Sequence, residues 1–182
     1  MYRPCLLACA LTLFSAPAAA GTVTSDLYGK QCRLVDNASP GGPVTRRCRG
    51  TAGYALLVHE HAGRSSVDIV APDKQTYQLD VWDVVPSGNS YVGRKAEWLL
   101  EGGAPRALLV RLDSVDAGAS ASAHTSTAIA VARIDADGAC LTFKIDARAR
   151  RAEAEARKAA QDRSRKCLGA YGVAAVEDGI PD

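Results

Sequence analysis

The chain of 182 residues has no excess of charge of either sign: 22 Lys and Arg stand against 20 Asp and Glu, a net charge of +2. Near-neutrality argues against a global attraction to nucleic acid or to a membrane surface. Beyond residues 1–20 no apolar run approaches the ~20 residues of a membrane span, so no transmembrane anchor is expected. Motif-borne chemistry is missing as well. The sequence has no G-x-S-x-G, no G-x-x-x-x-G-K-[ST] and no H-E-x-x-H, and no cysteine pair has C-x2-C spacing. No cofactor is therefore expected, and an enzyme would need a composite site assembled from separated residues.

What is present begins with a leader. Residues 1–20 carry one cation, Arg3, then an apolar run over 5–14, and end on Ala18, Ala19 and Ala20. That is the pattern of a secretory signal peptide with small residues before a cut between Ala20 and Gly21. It predicts a periplasmic or secreted product of 162 residues, 20 fewer than 182, with net charge +1 once Arg3 is removed. Leu6-Leu7-Ala8-Cys9 also fits the tetrapeptide that precedes cysteine lipidation, but only five residues stand before it, so lipidation of Cys9 is not expected.

Of six cysteines, Cys5 and Cys9 lie in the leader, leaving Cys32, Cys48, Cys140 and Cys167. Four cysteines in an exported chain read as two disulfides, for which sequence allows three pairings. The local pairing is favoured: Cys32 with Cys48, closing the Pro/Gly-rich loop over 39–43, and Cys140 with Cys167. A four-thiolate metal site would need other spacings and a reducing compartment.

Residues 21–52 read as a polar, turn-rich segment closed by the first disulfide, and residues 53–170 as one β-rich domain with a C-terminal helix. The clearest element is a hairpin over 95–113, where apolar runs 96–100 and 107–112 flank Gly102, Gly103, Ala104 and Pro105. Trp98, with Ala96 and Leu100, should face the core, and Glu97 and Glu101 the other side. Strands are also expected over 53–60, 65–70, 75–81, 125–134 and 141–145, the last with Leu141, Phe143 and Ile145 on one face. Residues 114–124 read as an exposed loop. From Asp146, residues rich in Ala, Arg, Glu and Lys predict a helix of about twenty residues, capped by Asp146 and ending near Gly169. On that helix the stripe of Ala149, Ala152, Ala156 and Ala160 would point with Cys167 toward the sheet. Residues 171–182 form an acidic tail. The expected fold is α+β, mainly β: an antiparallel curled sheet or sandwich of six to seven strands, one C-terminal helix and two disulfides.

The most chemically suggestive triplet is His59-Glu60-His61. In an extended chain His59 and His61 share a face and would supply two imidazoles to a metal, with His124 the one further histidine. Two ligands are at most half a site, so polar residues at a strand end and turn are the favoured reading of the triplet. The basic helix offers an anionic surface partner a second target: Arg148, Arg150, Arg151, Arg157, Lys158, Arg163, Arg165 and Lys166 oppose Glu153, Glu155 and Asp162. Its opposite face is alanine, with no bulky group to insert into a bilayer. Asp68, Asp80, Asp83, Glu97 and Glu101 read as a wet sheet face unless they converge in space.

The pattern Gly53-Tyr54-x-Leu56-x-Val58, Ser66-Val67, then Glu97-Trp98-x-Leu100 followed by Gly103, Pro105 and Ala107-Leu108-Leu109-Val110-Arg111 resembles a widespread family of small exported proteobacterial proteins. The resemblance covers about 54–112 together with the late cysteines and helix. It implies location and fold and carries over no catalytic or binding residue; members commonly have acidic residues where His59, Glu60 and His61 stand. The functional expectation is a non-enzymatic periplasmic protein that binds an envelope protein, or an anionic envelope component through the basic helix. An inhibitor of an envelope-attacking hydrolase such as lysozyme, and an enzyme with a composite site, are the alternatives.

Overall fold

A computed structural model describes residues 21–37, 39, 41–84, 89–115 and 126–168. The expectations for the leader, His124, most of the 114–124 loop, Gly169 and the acidic tail lie outside the described residues. Ten strands form one sheet: β1 Gly21–Asp26, β2 Cys32–Asn37, β3 Val44–Arg49, β4 Ala55–His61, β5 Arg64–Val70, β6 Thr76–Tyr77, β7 Asn89–Glu101, β8 Ala104–Val115, β9 Ser126–Ile134 and β10 Ala139–Asp146, followed by helix α1 Ala152–Gln161. The sheet runs β10-β9-β8-β7-β5-β4-β3-β2, with β1 also on β7 and β6 on β5. It is mixed rather than antiparallel, because β5 and β7 meet in parallel at Arg64 and Ser90. The count of ten corrects the expected six to seven. Seven strands do follow residue 53; the other three lie in the 21–52 segment, where frequent cations hide the alternation.

The central hairpin forms β7 and β8, joined by Gly102 and Gly103 alone. Both have positive φ (59° and 82°), the conformation a two-residue turn of matching twist requires. Pro105 sits inside β8, not in the turn. Trp98 is fully buried and donates its indole N–H to Ser25 Oγ of β1 at 2.9 Å. Across the sheet it packs on Tyr54, the ring centroids 6.0 Å apart. Gly50 lies so close that a Cβ there would stand 3.0 Å from the indole. Three ladder steps separate β7 from β3, so this contact requires the sheet to curl until the β3–β4 turn lies over β7.

β8 and β9 are covered on both faces. Leu108, Val110, Ala130 and Ala132 join Trp98, Leu56, Val58, Val67 and Ile69 in the inner core, whereas Leu109, Ile129 and Val131 join Leu99 under Ala152, Ala156 and Ala160 of α1. Strands buried on both faces read as continuous apolar runs, and ALLV and AIAVA do so here.

Three local expectations are corrected. Residues 75–81 form only the two-residue β6, because Asp80 takes a positive φ of 47° that an extended ladder cannot continue; Leu79 and Val81 are buried nonetheless. In β10 a bulge between Leu141 and Phe143 splits the single expected face, so that Leu141 enters the inner core and Phe143 and Ile145 pack toward α1. The helix has ten residues, not about twenty. At its start the Asp146 carboxylate accepts the Arg148 N–H at 2.8 Å, closing a turn rather than capping a helix. At its end Asp162 accepts both the N–H and the hydroxyl of Ser164, at 3.1 and 2.6 Å. Local side-chain bonds of this kind compete with helix continuation. Arg148, Arg150 and Arg151 consequently precede the helix, and Glu153 and Glu155 occupy its first turn, as the dipole favours.

Both disulfides pair as expected, Cys32 with Cys48 and Cys140 with Cys167. Cys167, however, lies in an extended segment beyond the helix, where Leu168 N–H donates to Leu141 O at 2.7 Å. Helical spacing is therefore not what brings Cys167 to the sheet. Among the described residues no helix is long and apolar enough to cross a membrane.

Replacing the fully buried Trp98 with Ala is expected to lower stability by about 3–5 kcal/mol, read as a drop in the urea midpoint. Acid should act on the helix boundaries. Hydrogen bonds from Arg148, backbone first, hold the Asp146 carboxyl below its ordinary value, and those from Ser164, side chain first, do the same for Asp162. Depressed carboxylates stabilise the fold above the unfolded value near ~4, and this is lost as pH falls through the folded one. The fall in melting temperature below that pH should be smaller in an Asp146→Asn, Asp162→Asn double variant.

Candidate functional site: a basic groove at the free sheet edge

Strands β2 and β3 pair so that Cys32 opposes Cys48, Arg33 opposes Arg47 and Leu34 opposes Arg46. Alternation sends Cys48 into the core, where it is 1% exposed, and turns Arg47 and Arg49 to the other face. The result is a groove of about 420 Å³ beside the first disulfide, lined by Lys30, Arg33, Arg47, Arg49 and Tyr54. No carboxylate lines it, and among the described residues none of these four cations makes an ion pair or side-chain hydrogen bond. Like charges directly opposite on paired strands are unfavourable, on the order of a few tenths of a kcal/mol. The Arg33–Arg47 pair carries that cost without a compensating acid. β2 ends the sheet, its outer edge unpaired among the described residues, with Leu34 and Val35 exposed by 55% and 47%.

The cations near the helix behave differently. Arg157 grips Glu97 through two nitrogens at 2.7 and 2.9 Å, and this bond holds its guanidinium above the usual value although burial acts the other way. Arg163 pairs with Asp135, Arg148 with Asp146 at 3.3 Å, and Arg165 with Asp162 at 3.3 Å while stacking 4.7 Å over Phe143. Half of the eight expected docking cations are thus engaged by carboxylates within the protein. Arg150, Arg151 and Lys158 stay exposed.

His59 stands in a chain of three polar side chains across β3, β4 and β5. Its Nδ1 lies 3.1 Å from Thr45 Oγ1 and its Nε2 lies 2.9 Å from Asp68 Oδ2. Asp68 is buried and also accepts the Leu79 N–H at 3.2 Å. Hydroxyl, imidazole and carboxylate in hydrogen-bond contact are the parts of a nucleophile–base–orienter set. The described cavities do not open on them, however, and the chain links three strands to the 78–81 segment. Both nitrogens of His59 are engaged, His61 is exposed at the β4–β5 turn, and Glu60 pairs with Arg46, so the triplet does not converge as a ligand set. Among the described residues no group of three or more metal-ligating side chains assembles. Of the scattered carboxylates Asp68 comes to His59, while Glu97 and Glu101 lie toward the helix, on Arg157 and Arg106.

The groove cations escaped motif reading because a binding surface has no fixed spacing. The signal was compositional: over 21–52 five cations face two acids. Asp68→Ala should leave the Leu79 N–H and His59 short of an acceptor and cost about 1–3 kcal/mol. Zinc added to the unaltered protein should leave its melting temperature unchanged, since no ligand set is assembled among the described residues.

Comparison of the chain with protein-family models, curated proteins and solved structures returns no match.

Proposed function

We propose that this is an exported, non-enzymatic envelope protein that binds an anionic envelope component through the groove formed by Lys30, Arg33, Arg47 and Arg49. The carrying observation is that these four cations share one concave surface with no carboxylate. Export is supported by the leader pattern over 1–20, by the resemblance to small exported proteobacterial proteins, and by two disulfides, which persist in oxidising compartments.

The chemistry follows from the side chains. A guanidinium presents a planar fork of donors that matches a phosphate or carboxylate, and two forks facing each other on β2 and β3 bracket one anionic group. Binding relieves the Arg33–Arg47 repulsion, so the unfavourable pairing in the free protein becomes a favourable term in the complex. The exposed Leu34 and Val35 give the same edge an apolar contact. A lysozyme-like target is itself cationic and matches a basic groove poorly.

Sedimentation with phosphatidylglycerol vesicles tests the reading. The protein should co-sediment with them at low salt, release at high salt, and ignore phosphatidylcholine vesicles. An Arg33→Ser, Arg47→Ser variant, which removes the repulsive pair and should fold at least as well, is expected to lose most of the binding. Equal sedimentation with both lipids, or an unaffected variant, would overturn the groove as the site.

A further inference from the structure

A second cavity, of about 430 Å³, lies on the far side of the hairpin, between the start of β1, the β7–β8 turn and the end of α1. Its size is within the roughly 300–1,000 Å³ of small-molecule sites. The floor is apolar: Leu99, Leu100 and Ala160 line it. Around it stand Arg106, Arg157 and Arg163, with one carboxylate, Glu101, among them. The combination of an apolar floor and a guanidinium rim describes a ligand with two unlike ends. We infer that this cavity binds a single-chain amphiphile with an anionic head, the chain on Leu99, Leu100 and Ala160 and the head against Arg106 and Arg163.

Charge accounting supports an anion here. Arg157 is committed to Glu97 through two nitrogens, with Glu153 a further partner at 4.0 Å. Arg106 gives only its Nε to Glu101, at 3.1 Å, which leaves the two terminal nitrogens of its five-donor fork to a ligand. Arg163 reaches Asp135, Ile134 O and Arg106 O, the carbonyls at 3.3 and 3.2 Å. Burial pushes the Arg163 guanidinium below its usual value, and the neighbouring Arg106 and Arg133 push the same way. Five guanidiniums (Arg106, Arg111, Arg133, Arg157, Arg163) thus share four carboxylates (Glu97, Glu101, Asp135, Glu153). The C-terminal end of α1 opposes an anion with roughly half a negative charge, which the surplus guanidinium outweighs.

This site is independent of the β2–β3 groove, and calorimetry separates the two. Titrating the oxidised protein with decanoate and with decyl phosphate, below their micelle concentrations, should give saturable binding, whereas decyltrimethylammonium should give none. Arg106→Ala, at an exposed position on β8, is expected to weaken decanoate about tenfold, as loss of a charge-assisted hydrogen bond requires. Thr22→Trp, at an exposed position lining the cavity, should block decanoate by occupying its space. The Arg33→Ser, Arg47→Ser variant should bind decanoate normally. Binding of decyltrimethylammonium as strong as that of decanoate, absence of saturable heat with both anionic probes, or full affinity in both the Arg106 and Thr22 variants would overturn the inference.

Discussion

The indole of Trp98 is where parts of the chain far apart in sequence are made to meet. Ser25 of β1 satisfies its N–H, Tyr54 lies against its ring, and Gly50 is small enough to let the β3–β4 turn close over it. A buried indole without an acceptor would be costly, and a side chain at position 50 would push the turn away. With both conditions met, the sheet curls and its inner face becomes one core. Tyr54 is also a wall of the basic groove, so the contact that closes the core fixes the geometry of the surface beside it. The next residue, Leu99, points to the opposite face and forms the floor of the second cavity. Two adjacent positions of one strand therefore anchor both candidate sites on the most deeply held element of the fold.

The distribution of ion pairs separates cations that hold the structure from cations left for something else. Near α1, Arg157, Arg163 and Arg165 each meet a carboxylate, and Arg163 also donates to two backbone carbonyls. Exposed pairs contribute little individually, about 0–1 kcal/mol. Here they matter because the helix buries only alanines, which remove little apolar surface. Around the first disulfide the same residue type is left unpaired, and two arginines are set opposite each other. A fold that matches acids to arginines on one side and none on the other is not limited by its supply of acids, since Glu97, Glu101 and Asp135 show that sheet positions accommodate them.

Legibility in the sequence followed how each element is buried. The central hairpin and β9 were readable because burial on both faces leaves uninterrupted apolar runs, and the turn glycines mark where positive φ is needed. The disulfide partners were readable by proximity in sequence, although the helical argument for Cys167 was wrong: Asp162 and Ser164 end the helix through bonds that composition does not reveal. The β1–β3 strands were not readable, because their stability comes from pairing with β7 and β4 and their side chains are largely polar. Of the candidate sites, His59 was visible as a triplet, but its meaning lay in Thr45 and Asp68, which arrive through strand register. The groove arises from a cross-strand pair and was visible only as a local excess of cations.

The two ends of the sheet are finished differently among the described residues, in keeping with the docking role proposed for the open one. Unpaired strand edges are a hazard, and natural sheets cover, shorten or charge them. At the β10 end the chain returns after α1: Leu168 bonds to Leu141, Arg133 donates to the carbonyls of Arg163 and Arg165, and Cys140–Cys167 fastens the returning segment. At the β2 end a disulfide of similar kind, Cys32–Cys48, fastens β2 to β3 but brings no segment over the edge among the described residues. By chain entropy each crosslink contributes about 3 kcal/mol, so both ends are held comparably. Stability thus does not explain the difference between them. The edge that is stapled yet uncovered is the one that carries Arg33, Leu34 and Val35 outward, and charge on it discourages pairing with a second copy while favouring an anionic partner. Stapled by Cys32–Cys48 and carrying Arg33 outward, the edge suits the docking role proposed for it.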